Sequence, residues 1–279
     1  MWVLKSFSYQ EHFKSCEKIK MGVQVNVDKA VSDYYKKGGT TKFENSLKKI
    51  LTWAGDDDRI NKIEHLAYLL GTAKAESDFS LERWESDYVC GKAGVKYKDK
   101  PCEKALNYYK SDAGDKKNYY TLGLDSRGLP YFGRGLIQLT GKENYKKYGD
   151  IIGVNLVDDP EKVFVPQNSY NIAVSFLTDK GKDGTKKSTF ERVDAGDLTS
   201  ARRSVNGGER DLSKVNEEYK KWVEILKNNS EVVSASNKRV KRIVGVGVVL
   251  ATIGITGIVV YLILKKTGKL PNFLKKVNL

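Results

Sequence analysis

Five carboxylates crowd into "TAKAESDFSLERWESDY": Glu76, Asp78, Glu82, Glu85 and Asp87 fall within residues 76–87, at the end of a helical run. A cluster this dense is ordinarily a solvated face, because charged side chains stay exposed. Two of the five stand apart. On a helix ending near residue 76, Thr72 and Glu76 share a face with Ala73 beside them on the core side, so Glu76 sits at the edge of packed structure. Glu85 comes nine residues later, after Phe79, Leu81 and Trp84, which would fold the segment back into a cleft wall. Carboxyls in two different environments are what acid/base cleavage of a glycosidic bond requires. One donates a proton to the leaving oxygen and the other, ionised, activates water.

A second stretch, "YFGRGLIQLTGKENY" at residues 131–145, sets two glycines around Arg134. It alternates Gln138 and Thr140 with Leu136, Ile137 and Leu139. Alternation puts Gln138 and Thr140 on one side, where an amide and a hydroxyl suit sugar hydroxyls, with Asn144 close behind. Tyr131 and Tyr145 are expected to stack on sugar faces. A third stretch, "ARRSVNGGERD", places Asn206 before a Gly-Gly turn that would present its amide. Each has a plainer alternative: a glycine-flanked Arg is often a structural ion partner, and Asn-Gly-Gly is often only a turn.

The elements that must hold these residues read as mostly helical. "FENSLKKILTWAG" and "DRINKIEHLAYLLGTAKAE" place Ile60, Ile63, Ala67 and Leu70 at three- and four-residue steps, an amphipathic helix with Asp58 as its expected N-cap. Further helices are expected around 103–110, 142–149, 168–178, 197–204 and 213–227. Strand signals are few: "VQVNV" at 23–27 alternates, and the glycine-flanked stretch predicts a short strand or turn. With only His12 and His65 beside three cysteines, no zinc spacing exists, and no metal or cofactor is expected. Cys90 and Cys102 could close a loop, with isolated thiols the favoured state.

The 279 residues carry a formal charge of +14, but residues 227–279 hold ten Lys/Arg against the single Glu231. The excess is mostly a property of the tail and does not point to nucleic acid. From Ile243 to Leu264 the tail is uncharged over 22 residues, which at about 1.5 Å per residue spans roughly the 30 Å of a bilayer core. This predicts one transmembrane helix. Basic clusters bracket it too evenly to set its orientation. Gly247, Ala251 and Gly254 share a face that would permit helix–helix self-association. Leu270, Phe273, Leu274 and Val277 recur among lysines as in a helix lying on anionic lipid. The N-terminal "MWVLKSFSYQEHFKSCEKIK" has no continuous apolar stretch or small-residue cleavage site, so no signal peptide is expected.

Taken in order, "AESDF", "ERWESDY", "YFGRGLIQLTGKENY", "NLVDDPEKV" and "RRSVNGG" followed by "NEEYKKW" resemble glycoside hydrolase family 19, the chitinase-like enzymes that include many phage endolysins. The resemblance covers about residues 43–226. It implies a mainly α, lysozyme-like two-lobed helical domain with a small β element and a cleft between the lobes. It further implies Glu76 as general acid, Glu85 as general base, and Thr140 holding the attacking water, with Gln138, Asn144 and Asn206 binding sugar. The family inverts at the anomeric carbon, so the two carboxyls are expected about 6.5 to 9.5 Å apart. Asp78, Glu82 and Asp87 are then expected to be solvated.

The expected organisation is an N-terminal extension without an assigned role (1–39), the hydrolase domain (40–226), a polar basic linker (227–242), the membrane helix (243–264) and a basic amphipathic tail (265–279). Chitin and peptidoglycan share β-1,4-linked N-acetylglucosamine, and the membrane segment favours peptidoglycan, which lies beside bacterial membranes. The expected function is a membrane-anchored, endolysin-like peptidoglycan hydrolase. Its expected location is a virion internal membrane or the host inner membrane. Chitinase and an inactive glycan-binding or structural virion membrane protein are the alternatives.

Overall fold

At the centre lies a helix, α3 (Ile63–Ser77), whose residues from His65 to Ala73 are all buried. A helix apolar on every side belongs inside a core, and this one is enclosed by neighbours where the sequence periodicity suggests a single buried face. The computed structural model describes residues 22–84, 123–126, 130–180 and 186–232. The chain divides into two units, Met1–Val232 and Val233–Leu279. All of the second, including the predicted membrane helix at 243–264, lies outside the described residues, as do Glu85, Asp87, the three cysteines and the helix expected at 103–110. Among the described residues no helix is long and apolar enough to cross a membrane.

In chain order the elements are β1 (Val23–Val25), α1 (Val27–Lys36), α2 (Glu44–Asp56), α3, α4 (Lys142–Ile152), a 3₁₀ turn (Pro160–Phe164), α5 (Pro166–Thr178), α6 (Thr189–Asp194), α7 (Leu198–Asn206), α8 (Leu212–Asn229) and β2 (Ser230–Val232). Among the described residues the architecture is mainly helical with one small antiparallel ribbon, in which Val23 faces Val232 and Val25 faces Ser230. α8 lies against α3 so closely that a Cβ on Gly71 would fall 2.9 Å from the Val215 carbonyl oxygen. Only glycine permits that approach.

Local chemistry explains the boundaries. α1 opens on Asn26, whose side chain accepts from the Lys29 amide at 3.2 Å. α6 opens on a reciprocal Ser188–Glu191 capping box, and α7 on Asp197, whose carboxylate accepts from the Ser200 amide at 2.9 Å. α7 stops at Gly207, which takes φ +74°. α3 starts later than expected and Asp58 does not cap it. The Ile60 amide donates to the Asp57 carbonyl at 3.1 Å, closing a turn, and Lys62 is the residue that precedes the helix.

The domain boundaries also need correction. Residues 22–39 are integral to the domain: Val23, Ala30, Val31 and Tyr34 join the main core. Tyr34 stacks on Trp222 of α8 at 4.6 Å between ring centroids. At the other end, residues 227–232 finish α8 and form β2, so the domain runs beyond 226 and any linker starts later than 227. The partners of α1 lie almost 200 positions away, as in the bond from Asn229 Nδ2 to Asp33 Oδ2 at 3.0 Å. No local pattern could reveal that pairing.

Candidate active site

Glu76 occupies the last turn of α3, where the helix leaves the core. Its side chain is about one-fifth exposed, and its Oε1 accepts from Arg202 Nη1 at 2.7 Å. Arg202 is buried, and its Nε donates to the Arg210 carbonyl at 2.8 Å. The guanidinium is thus fixed at both edges between α3 and the loop after α7. Below it on α3, burial pushes the Tyr68 hydroxyl far above the ordinary tyrosine range, against the pull of Arg202, so this neighbour stays uncharged.

Within the 131–145 stretch, residues 134–139 form a tight turn closed by mutual Arg134–Leu139 backbone bonds at 3.1 and 2.9 Å. Trp84 bridges onto Arg134, which brings the segment after Glu82 against this turn. Gly135, at φ +75°, carries the turn past Ser169 and Val163, where a Cβ would sit 2.6 and 2.9 Å from them. Ser77 Oγ donates to the Leu136 carbonyl at 2.9 Å, so the end of α3 and the turn are directly joined.

Gln138, itself left-handed at φ 54°, gives both amide hydrogens to backbone: to Arg83 O at 3.2 Å and Gly135 O at 2.9 Å. That fixes the amide orientation and leaves Oε1 as an acceptor facing away from those two bonds. Thr140 donates its hydroxyl hydrogen to Gln138 O at 2.8 Å, so toward a water it can only accept. Asn144 Nδ2 bonds the Thr140 carbonyl at 2.8 Å. All three are partly exposed, and Leu139 between Gln138 and Thr140 is buried.

Tyr131 and Tyr145 do not line a sugar site. Both rings are buried, set edge-on at 5.0 Å, with Tyr131 bonding the Val157 carbonyl at 2.8 Å. Tyr145 donates to the Phe132 carbonyl at 2.6 Å and accepts from Arg134 Nη1 at 2.8 Å. Arg134 lies over the Trp84 ring at 4.6 Å and reaches Glu161 at 3.4 Å. Each tyrosine's polar end meets a core polar group, which made inward packing more favourable than display.

Asn206 is exposed at the end of α7. Its Oδ1 accepts from the Gly208 amide at 3.0 Å and its Nδ2 donates to Arg210 O at 3.1 Å, so the amide braces its own loop. Asp78, expected to be solvated, is three-quarters covered and paired with Lys74 at 2.5 Å; Glu82 is exposed. Among the described residues no group of His, Cys, Asp and Glu could hold a metal.

Arg202 is the residue that sequence reasoning missed. Its signal was present: with Ala201 and Val205 it falls on the inward side of α7, and an arginine on an apolar helix face needs an anion. Replacing it as Arg202→Met leaves Glu76 without its cation. Because Glu76 is partly hydrated, the expected loss is about 2 kcal/mol, or roughly 4–8 °C in Tm. Adding Glu76→Gln should restore part of that loss in a thermal melt, since the carboxylate that lacks a partner is then gone.

A partly exposed carboxyl at the end of a buried helix, joined through Ser77 to an amide- and hydroxyl-bearing turn on a mainly helical scaffold, is the arrangement of a glycosidase. The family model for chitinase class I, glycoside hydrolase family 19, matches residues 51–246, and the chain belongs to that family. Short segments match two rice (Oryza sativa subsp. japonica) proteins. Chitinase 8 is 47% identical over 49 residues, which is 18% of this chain and 17% of that protein. Chitinase 11 is 56% identical over 34 residues, 12% of this chain and 13% of that protein. The matched segments therefore span less than a fifth of either relative. Among solved structures, chitinase C from Streptomyces griseus is similar at 17% identity and a TM-score of 0.45, with 74% of this chain and 94% of that one covered.

Proposed function

We propose that the chain hydrolyses β-1,4 bonds between amino sugars in peptidoglycan, with inversion, using Glu76 as general acid and Glu85 as general base. The observation that carries this is the Arg202–Glu76 pair at the exit of α3. With Oε1 committed to the guanidinium in either protonation state, Oε2 is the atom that bears the proton and delivers it to the glycosidic oxygen. As the C–O bond breaks, Glu76 becomes a carboxylate, and the adjacent cation stabilises the charge that develops there. Glu85 takes a proton from the water that attacks the anomeric carbon on the opposite face. Thr140 offers that water a lone pair, and Gln138 and Asn144 hold sugar hydroxyls.

Peptidoglycan is favoured over chitin by the uncharged stretch at 243–264, read as a membrane anchor that keeps the domain beside a cell wall. Chitin is the second reading, since both curated relatives with matching segments are named chitinases. Digestion of purified peptidoglycan and of chitin by the full-length chain, with products identified by mass and anomeric configuration, separates the two. The expected products are reducing ends of inverted configuration from peptidoglycan. Mainly 1,6-anhydro ends would remove Glu85 from the mechanism, and cleavage of chitin alone would transfer the assignment. In the same preparation, about 1 M salt should leave the chain in the membrane fraction, because apolar burial is not screened by ions. Release by salt would rule out the anchor.

A further inference from the structure

Glu76, Ser77 and Asp78 are consecutive, and each reaches a different part of the fold. Glu76 meets Arg202 of α7 and Ser77 meets Leu136 of the glycine-bearing turn. Asp78 holds the Thr40–Lys42 segment between α1 and α2. Its backbone carbonyl accepts from Thr41 Oγ1 at 3.0 Å, and its Oδ2 accepts from the Lys42 amide at 3.4 Å. Lys74 lies one helical turn before Asp78 and bonds both Asp78 Oδ1 and the Thr40 carbonyl. Thr41 Oγ1 also accepts from the Phe43 amide at 2.9 Å, so the same hydroxyl fixes the start of α2.

This clamp holds an unusual backbone. Asp78 and Phe79 adopt φ 55° and 68°, two successive left-handed residues that are not glycine. The second is a fully buried phenylalanine set edge-on to Tyr34 and Trp222 at 5.9 and 6.3 Å. Such strain persists only where surrounding contacts over-determine it. The turn it creates ends α3, through bonds from the Asp78 amide to Lys74 O and from the Phe79 amide to Ala73 O, both at 3.2 Å. Glu76 lies inside that turn.

We propose that Asp78 is a positioning residue for Glu76: it anchors the end of α3 to the α1–α2 segment and so sets where the acid points, without touching substrate. The proposal rests on the reading of Glu76 as proton donor. Glycine adopts left-handed backbone without strain, so Asp78→Gly removes the side-chain clamp while easing the backbone. In the full-length chain, kcat on a soluble amino-sugar polymer is expected to fall about 10- to 100-fold, with KM unchanged and Tm within about 3 °C. Asparagine tolerates the same backbone and still accepts from the Lys42 amide, so Asp78→Asn is expected to stay within a few-fold of the parent. Should Asp78→Gly fold poorly, Thr41→Val removes the bond to the Asp78 carbonyl and leaves the left-handed pair in place. A kcat unchanged in a folded variant, or reduced only in proportion to the folded fraction, overturns the positioning role alone. Retained activity in Glu76→Gln overturns the acid assignment and the positioning role with it.

Discussion

Glu76→Gln is expected to lower glycan hydrolysis by about 10³-fold while leaving the fold in place. The amide has the shape of the carboxyl, and its oxygen still accepts from Arg202, so the guanidinium keeps a partner at the position where Glu76 Oε1 lies 2.7 Å away. What the amide lacks is a proton it can surrender, and general acid catalysis is worth roughly 10² to 10⁴ in rate. Exchanging a charged for a neutral acceptor costs about 1 kcal/mol, a fall of some 2–4 °C in Tm. The assay is turnover on a soluble glycan, read beside circular dichroism and a thermal melt. A folded variant with more than about a tenth of the parent activity would take the acid role away from Glu76, because losing the true general acid costs at least about 10²-fold.

The pattern of what could be read from the chain follows from distance in sequence. Helices at 142–152, 166–178, 198–206 and 212–229 lie within a few residues of where periodicity put them, because repeat and terminating chemistry are both local. β1 was visible as alternation in "VQVNV", but it pairs with Ser230–Val232, and nothing nearby announces that partner. Residues 22–39 therefore looked like an appendage. The site divides the same way. Glu76, Gln138, Thr140 and Asn144 were legible as polar residues at the edge of apolar runs. The tyrosines misled because a ring with a hydroxyl fits a sugar platform and a core equally well, and only the presence of Arg134 and the Phe132 and Val157 carbonyls decides between them. Arg202 and Asp78 were obscured for the opposite reason. Arg202, although on the inward side of its helix, shows no anion, and Asp78 looks like an ordinary surface charge, until tertiary structure supplies Glu76 to one and the Thr40–Lys42 segment to the other.

Residues 22–39 give the second large effect: a chain beginning at residue 40 is not expected to fold. Val23, Ala30, Val31 and Tyr34 are each no more than 3% exposed. Burying them contributes on the order of 5–10 kcal/mol, against a typical total stability of about 5–15 kcal/mol. The loss extends beyond those side chains. Trp222, fully buried, would lose the ring stacked on it. β2 would lose its only strand partner among the described residues, and the Asn229 carbonyl would lose the Asn26 amide that donates to it at 2.8 Å. Phe79 would be uncovered on the side where Tyr34 now meets it, which loosens the turn that carries Glu76. Since the truncation also removes residues 1–21, Tyr34→Ala in the full-length chain isolates the packing. It should cost about 3–5 kcal/mol, a fall of roughly 6–20 °C in Tm. A cooperative melt near the parent Tm for the chain starting at residue 40 would mean that α1 and β1 decorate the domain and do not complete its core. A Tyr34→Ala variant within about 2 °C of the parent would show that the stack on Trp222 adds little.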